Sequence, residues 1–166
     1  MNAEEIIKFL RLQPHPKEGG FFRETYRSVD SFFNLPNRYR GERSASTAIY
    51  YLLTTSTFSA MHRLTSDEVF HFYMGSPVEM LQLFPDGQGT TTTMGSNLIA
   101  GQSPQTIVTA GVWQGSRLAP GGAFALMGTT VSPGFDFADY ESGVREKLIK
   151  QYPDFSTLIR ELTPAD

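Results

Sequence analysis

The chain of 166 residues is long enough for one continuous core and reads as a single domain over 1–166; with no cysteine, it excludes disulfides, thiolate metal sites and thiol nucleophiles. Its formal charge of −3 and pI near 5.6 supply no global basic field, so nucleic acid is not an expected partner. No apolar run approaches the roughly 20 residues of a spanning helix, and the Met1-Asn-Ala-Glu-Glu start is acidic, so a cytoplasmic protein without a membrane partner is expected. The 13 Phe, 7 Tyr, 15 Gly and 10 Pro predict many short strands.

Asn2, with Glu5 three positions on and Ile6, Ile7 and Leu10 at helical spacing, predicts a short amphipathic helix over 2–12. Pro14-His15-Pro16 ends it, Glu18-Gly19-Gly20 turns the chain, and residues 21–27 interleave β-formers with charge, as in a strand near a sheet edge. Residues 30–45 have no sustained period and predict a long exposed loop carrying Arg38, Arg40 and Arg43. From Ser46 a near-continuous apolar run predicts a strand buried on both sides. The stretch from Ser59 to Gly75 holds two of the three histidines. Its two strand-like pieces flank the turn Thr65-Ser66-Asp67, which predicts His62 and Glu68 on neighbouring strands with their side chains in reach.

Residues 77–84 predict a strand, Pro85-Asp86-Gly87 a turn and Thr90 to Met94 its hairpin partner. Further strands are expected over 105–109, 113–118 and 123–131, separated by Gly- and Pro-rich turns. Strands broken by turns at roughly eight- to twelve-residue intervals, with no helix between them, predict an all-β antiparallel sandwich or barrel. Helix returns over Glu141 to Gln151, and Asp154 is expected to cap a last turn or two carrying Phe155, Leu158, Ile159 and Leu162.

His62, then Glu68 followed by six residues and Gly75, resembles the first cupin motif, with Leu64 where that motif has its second histidine. Thr109-Ala-Gly111-Val-Trp-Gln114 resembles the second, Pro-x-Gly-x-x-His, with Thr109 for proline and Gln114 for histidine. With Leu12-Gln-Pro-His15-Pro-Lys-Glu-Gly19-Gly20, the run 46–53, Ser66-Asp-Glu68-Val-Phe-His71 and the run 131–139, the chain resembles over almost its whole length the Cupin-5 family described as predicted sugar epimerases. That resemblance implies an antiparallel cupin (RmlC-like) jelly-roll barrel with peripheral N- and C-terminal helices, a homodimer, and a small-molecule ligand such as a sugar or nucleotide sugar. At the four motif positions it offers one imidazole, one carboxylate, one aliphatic side chain and one amide. No cofactor is required by such a set, and His62, Glu68 and Gln114 would hold a divalent metal only weakly.

Epimerising or isomerising such a substrate requires a base, an acid on the opposite face and a donor for the enolate. His62 is the candidate base, Glu68 its tautomer-holding partner, Tyr51 or Tyr73 the acid, and Arg23 or Arg63 the anion holder. Gln114, Trp113 and His71 are candidate ligand contacts. Strand parity sets Glu68, Phe70 and Phe72 against Val69, His71 and Tyr73, so only a bulge would bring Glu68 and His71 to one face. The same alternation turns one of Trp113 and Gln114 inward and the other out. His15 is expected at the surface or in packing, and Arg38, Arg40 and Arg43 either bind a phosphate or form a solvated loop. A non-catalytic ligand-binding barrel and a metal-dependent dioxygenase or isomerase are the competing functions.

Overall fold

The structure is a computed structural model and describes residues 1–164. Helix α1 (Ala3–Leu10) starts at the expected reciprocal cap, Glu5 N donating to the Asn2 side chain while Asn2 N donates to the Glu5 carboxylate. Ile6 joins Leu12, Leu52 and Leu126 in the cluster that seats this helix on the barrel. The chain then forms β1 (Gln13–Pro14), β2 (Phe21–Arg27), β3 (Ser31–Phe32), β4 (Arg43–Ser44), β5 (Thr47–Thr54), β6 (Ser59–Leu64), β7 (Asp67–Gly75), β8 (Val78–Leu83), β9 (Gly89–Met94), β10 (Gln105–Val108), β11 (Trp113–Leu118), β12 (Phe124–Ser132) and β13 (Tyr140–Ser142). Helices α2 (Arg145–Gln151) and α3 (Ser156–Glu161) close the described chain.

Two antiparallel sheets enclose the core, in the orders β1-β2-β5-β12-β7-β10 and β13-β6-β11-β8-β9, as the strand pattern predicts. Between them lie Tyr51, Leu53, Phe70, Val78, Met80, Val108 and Met127. A second cluster, with Met61, Leu81, Leu83, Trp113, Leu148, Tyr152 and Ile159, glues α2 and α3 to the outside of the five-stranded sheet. The expected hairpin forms over 78–94, with Val78 opposite Met94 and Leu83 opposite Gly89.

Three local expectations are corrected. Strands β6 and β7 are not paired neighbours: the turn at Thr65-Ser66 carries the chain from one sheet to the other, so His62 and Glu68 meet across the interior. The terminal helix begins at Arg145 rather than Glu141, because residues 140–142 pair with β6 and Gly143 lies so close to it that a Cβ would fall 2.8 Å from the Met61 carbonyl oxygen. Asp154 makes no capping hydrogen bond; the last helical segment follows a short 3-10 turn, Pro153–Phe155.

The loop over 30–45 is pinned rather than wholly exposed. Arg43 is 5% exposed and grips Asp139 with both prongs of its guanidinium, Nε donating to Oδ2 at 2.7 Å and Nη2 to Oδ1 at 2.8 Å. Its remaining nitrogen donates to the Arg40 and Glu42 carbonyl oxygens, so Arg43 is spent on structure and not on a phosphate. The pair ties this loop to residues 135–140, which form one wall of the cavity described below. Asp139→Ala, which strands the buried guanidinium, is expected to lower unfolding free energy by about 3–5 kcal/mol in urea titration, with Arg43→Met plus Asp139→Leu recovering most of it. A double variant no more stable than the single one would show that the pair is not what holds this wall.

Candidate functional site

Register decides which side chains look inward. In the five-stranded sheet Gln114 lies opposite both His62 and Gln82, and these three buried side chains form one row facing the interior. Trp113, one residue away, points outward into the helix-covered cluster, with the Arg63 guanidinium 4.5 Å above its ring and Glu141 accepting from Arg63 at 2.8 Å. From the facing sheet Glu68 reaches across, and Gln114 Nε2 donates to its Oε2 at 2.7 Å. The fold thus joins His62, Gln114 and Glu68 by strand pairing and one hydrogen bond between sheets.

The N-terminal arm completes the site. Glu18 stands before Gly19 and Gly20, both at positive φ, and a Cβ on Gly19 would collide with the Phe58 carbonyl oxygen. These glycines let the arm lie flat on the barrel, where Ala60 N donates to the Glu18 carbonyl at 2.8 Å. The Glu18 side chain then enters the interior, accepting from Ser59 Oγ on one oxygen. Its other oxygen lies 3.7 Å from His62 Nε2 and 4.0 Å from His15 Nε2. His15, expected at the surface or in packing, packs edge-on to Phe22 and lines the cavity with its side chain 5% exposed, because the arm folds back through His15 N donating to Gly20 O at 3.0 Å.

The two imidazoles present opposite chemistry. His62 Nδ1 donates to the Ala60 carbonyl at 2.7 Å, which leaves the Nε2 lone pair of the neutral ring facing the cavity. The Ala60 carbonyl, not Glu68, therefore fixes the His62 tautomer. His15 Nδ1 accepts the Glu18 backbone N–H at 2.8 Å, which places the proton of that neutral ring on Nε2 as a donor. Burial lowers the His15 pKa, against the opposing Glu18 charge, and so favours the neutral ring. Burial also raises the Glu68 pKa, reinforced by the Glu18 charge and opposed by His62, Thr129 and Gln114.

Together His15, Glu18, His62 and Glu68, with Phe22, Thr47, Ile49, Leu64, Thr129, Val131 and Phe135, line a cavity of about 40 Å³. Tyr140 stacks on His62 with ring centroids 4.9 Å apart and planes 13° off parallel; its buried hydroxyl has no hydrogen-bond partner. Burial, then the Glu18 charge, pushes the Tyr140 phenol well up from its ordinary value.

The remaining candidates lie elsewhere. Tyr51 is buried behind the arm, its hydroxyl donating to Gly19 O at 2.9 Å, and burial raises its pKa. On the six-stranded sheet Arg23, Tyr50, Gly128, His71 and Gln105 form one row, and Tyr26, Ala48, Thr130, Val69 and Ile107 the next. Both rows are on the outer face, as parity requires for His71, whose ring nitrogens face Thr130 Oγ1 and Gln105 Nε2, each at 3.3 Å. Tyr73 lies over Gly128 on that face and edge-on to Tyr50, and the Arg23 guanidinium stands 5.6 Å from the Tyr50 ring centre. Tyr73, Arg23, Arg63, His71 and Trp113 are thus outside the cavity, whose titratable side chains are His15, Glu18, His62 and Glu68.

The expected metal set does not fit. Gln114 turns its N–H toward Glu68, His62 Nε2 faces Glu18, and no group of three or more His, Asp or Glu side chains takes metal-holding geometry among the described residues. His15, Glu18 and Tyr140 were missed because the arm and the 135–140 connector read as turns. The Pro-His-Pro-Lys-Glu-Gly-Gly string was the signal for the first two, since a carboxylate placed before two glycines can be carried close against a neighbouring backbone.

Residues 4–143 match the sequence model of the family described as Cupin superfamily (DUF985). An uncharacterised protein of Saccharomyces cerevisiae is 31% identical over 149 residues, covering 84% of this chain and 74% of its own. Two solved structures superpose over nearly the full length: a hypothetical protein from Leishmania major (TM-score 0.91, 30% identity, 99% of this chain and 100% of that one) and a protein from Shewanella oneidensis (TM-score 0.88, 37% identity, 100% and 99%). Oxalate decarboxylase from Bacillus subtilis shares the fold at 13% identity and TM-score 0.57, over 95% of this chain and 38% of that one.

Because the Glu68 pKa is raised by folding, the native state binds the extra proton, and its contribution to stability is full below the ordinary carboxyl value and lost as pH rises through the raised one. Glu68→Gln is therefore expected to flatten the fall of unfolding free energy above the ordinary carboxyl range. An unchanged pH profile in urea titrations of both proteins would contradict that assignment.

Proposed function

The chain belongs to the DUF985 family of the cupin superfamily, and from that premise we propose that it is a small-molecule cupin that epimerises or isomerises a sugar-like hydroxycarbonyl by proton transfer. The observation that carries this reading is the His62 Nε2 lone pair, fixed toward the cavity by the Nδ1 hydrogen bond to Ala60 at 2.7 Å. In the reaction His62 Nε2 takes the proton from the carbon beside the carbonyl, and the C–H electron pair passes into the enolate. The His15 Nε2–H donates to the carbonyl oxygen as negative charge develops there. Glu68, favoured in its protonated form by burial and reaching in from the facing sheet, returns a proton to the opposite face of that carbon, giving the epimer, or to the adjoining carbonyl carbon once the hydroxyl proton has moved to the carbonyl oxygen, giving the positional isomer. Solvent then resets both groups, so the net change is stereochemical or positional.

Transfer of solvent deuterium to a substrate carbon, followed by proton NMR across neutral and phosphorylated sugars, is the direct test. His62→Ala is expected to slow that exchange by roughly a hundredfold or more. Saturable stabilisation of the protein by a sugar with no exchange would instead establish the non-catalytic binding barrel, and an unaffected rate in His62→Ala would remove His62 from the chemistry.

The same proposal takes the protein as a cytoplasmic homodimer. The outer face of the six-stranded sheet supports the pairing, since Tyr26, Tyr73 and Ile107 remain 54%, 51% and 56% exposed there. Sedimentation should give twice the chain mass, with Tyr73→Glu plus Ile107→Lys shifting it to the monomer; a monomeric wild-type protein at micromolar concentration refutes the pairing.

A further inference from the structure

The cavity that contains the candidate base has a charge and hydrogen-bond pattern more selective than the reaction class alone. Two acidic side chains, Glu18 and Glu68, face it, and no Lys or Arg stands among its lining residues. Basic side chains next to the lining residues in sequence are engaged outside: Arg23 beside the Tyr50 ring, Arg43 by Asp139, Arg63 by Glu141 and Trp113, and Lys17 over the Phe137 and Tyr140 rings. A phosphate or carboxylate entering would lose its hydration to a site with no counter-charge and two acids.

An ammonium is not the complement either. His15 Nε2–H is a donor in need of an acceptor, and an ammonium carries only donors. His62 Nε2 and the Glu18 oxygen need donors. These atoms surround one small space, with the Glu18 oxygen 3.7 Å and 4.0 Å from the two imidazoles, too far for direct hydrogen bonds. A carbonyl bearing a neighbouring hydroxyl fits this set: its oxygen accepts from His15, its O–H donates to Glu18, and the C–H beside the carbonyl is left to the His62 Nε2 lone pair. The lining residues Phe22, Ile49, Leu64, Val131 and Phe135 offer only carbon to the rest of the ligand.

Size narrows the class further. The cavity encloses about 40 Å³, far below the roughly 300–1,000 Å³ of pockets that take drug-sized ligands, and so favours a short chain over a nucleotide sugar. We propose that the cavity selects uncharged short-chain hydroxycarbonyls, about the size of a triose, and discriminates against their phosphorylated and cationic counterparts. Resting on the proton-transfer reading above, this names the substrate class of the same site and replaces the nucleotide sugar suggested by sequence.

Binding, rather than turnover, tests it, so the two readings can fail separately. Dihydroxyacetone, dihydroxyacetone phosphate and 2-amino-1,3-propanediol would each be titrated into the full-length protein and followed by thermal shift and calorimetry. The uncharged compound should stabilise the protein saturably, with the phosphate and the amine each at least about tenfold weaker. His15→Phe, which keeps a ring against Phe22 and loses the Nε2–H donor, should weaken dihydroxyacetone about tenfold or more, with the free protein's melting temperature lowered by loss of the acceptor for Glu18 N. The wild-type ranking needs no variant and stands if that one misfolds. Equal or tighter binding of the phosphate or the amine overturns the proposal, as does failure of all three to bind at tens of millimolar. Absence of deuterium exchange alongside the expected ranking would sink the epimerase reading and leave the selectivity intact.

Discussion

A carboxyl group taken inside a barrel must find partners or give up its charge, and the interior of this protein is arranged around two of them. Glu68 takes one hydrogen bond from Gln114 in the opposite sheet, and Glu18 takes one from Ser59. The placement of His62 at the crossing of these contacts follows from strand pairing, since Gln114 cannot reach Glu68 without bringing the residue opposite it into the same row. Satisfying the buried acids and assembling the reactive groups are therefore one structural problem with one solution.

That solution draws on distant parts of the chain. The arm supplies His15 and Glu18, the crossover between sheets supplies His62 and Glu68, β11 supplies Gln114, and the segment after β12 supplies Phe135 and Tyr140. Two devices outside the sheets hold the added walls: the glycine pair that presses the arm flat, and the bidentate Arg43–Asp139 pair that anchors the far wall. Each is costly alone, in backbone freedom or in desolvation, and each is matched by a contact only the assembled barrel provides.

Most of the architecture was legible in the sequence because it is written in local terms. Strand periodicity, turn residues between strands and the Asn2–Glu5 box each report on a few neighbouring positions. Parity even placed His71 and Glu68 on opposite faces and separated Trp113 from Gln114. The sheet to which a strand belongs is not local: nothing within Thr65-Ser66-Asp67 distinguishes a hairpin from a crossover between layers. For the same reason His15, Glu18 and Tyr140 read as turn and connector residues, since their burial depends on what the arm and the 135–140 segment lie against. Glu141 was assigned to a helix by its neighbours and claimed by β6 instead, because pairing an edge strand outweighs the weak helical preference of Glu-Ser-Gly-Val.

The far wall and the arm also meet each other, through the Lys17 ammonium 5.5 Å from the Phe137 ring centre and 5.7 Å from that of Tyr140. Such a contact at the surface contributes only about 0.5–1 kcal/mol, close to thermal energy. The seam between the arm and the far wall is thus held by packed rings and one weak contact on a flexible side chain. Parting it would leave the hydrogen bonds of both sheets intact, so opening at this seam is separable from the stability of the barrel.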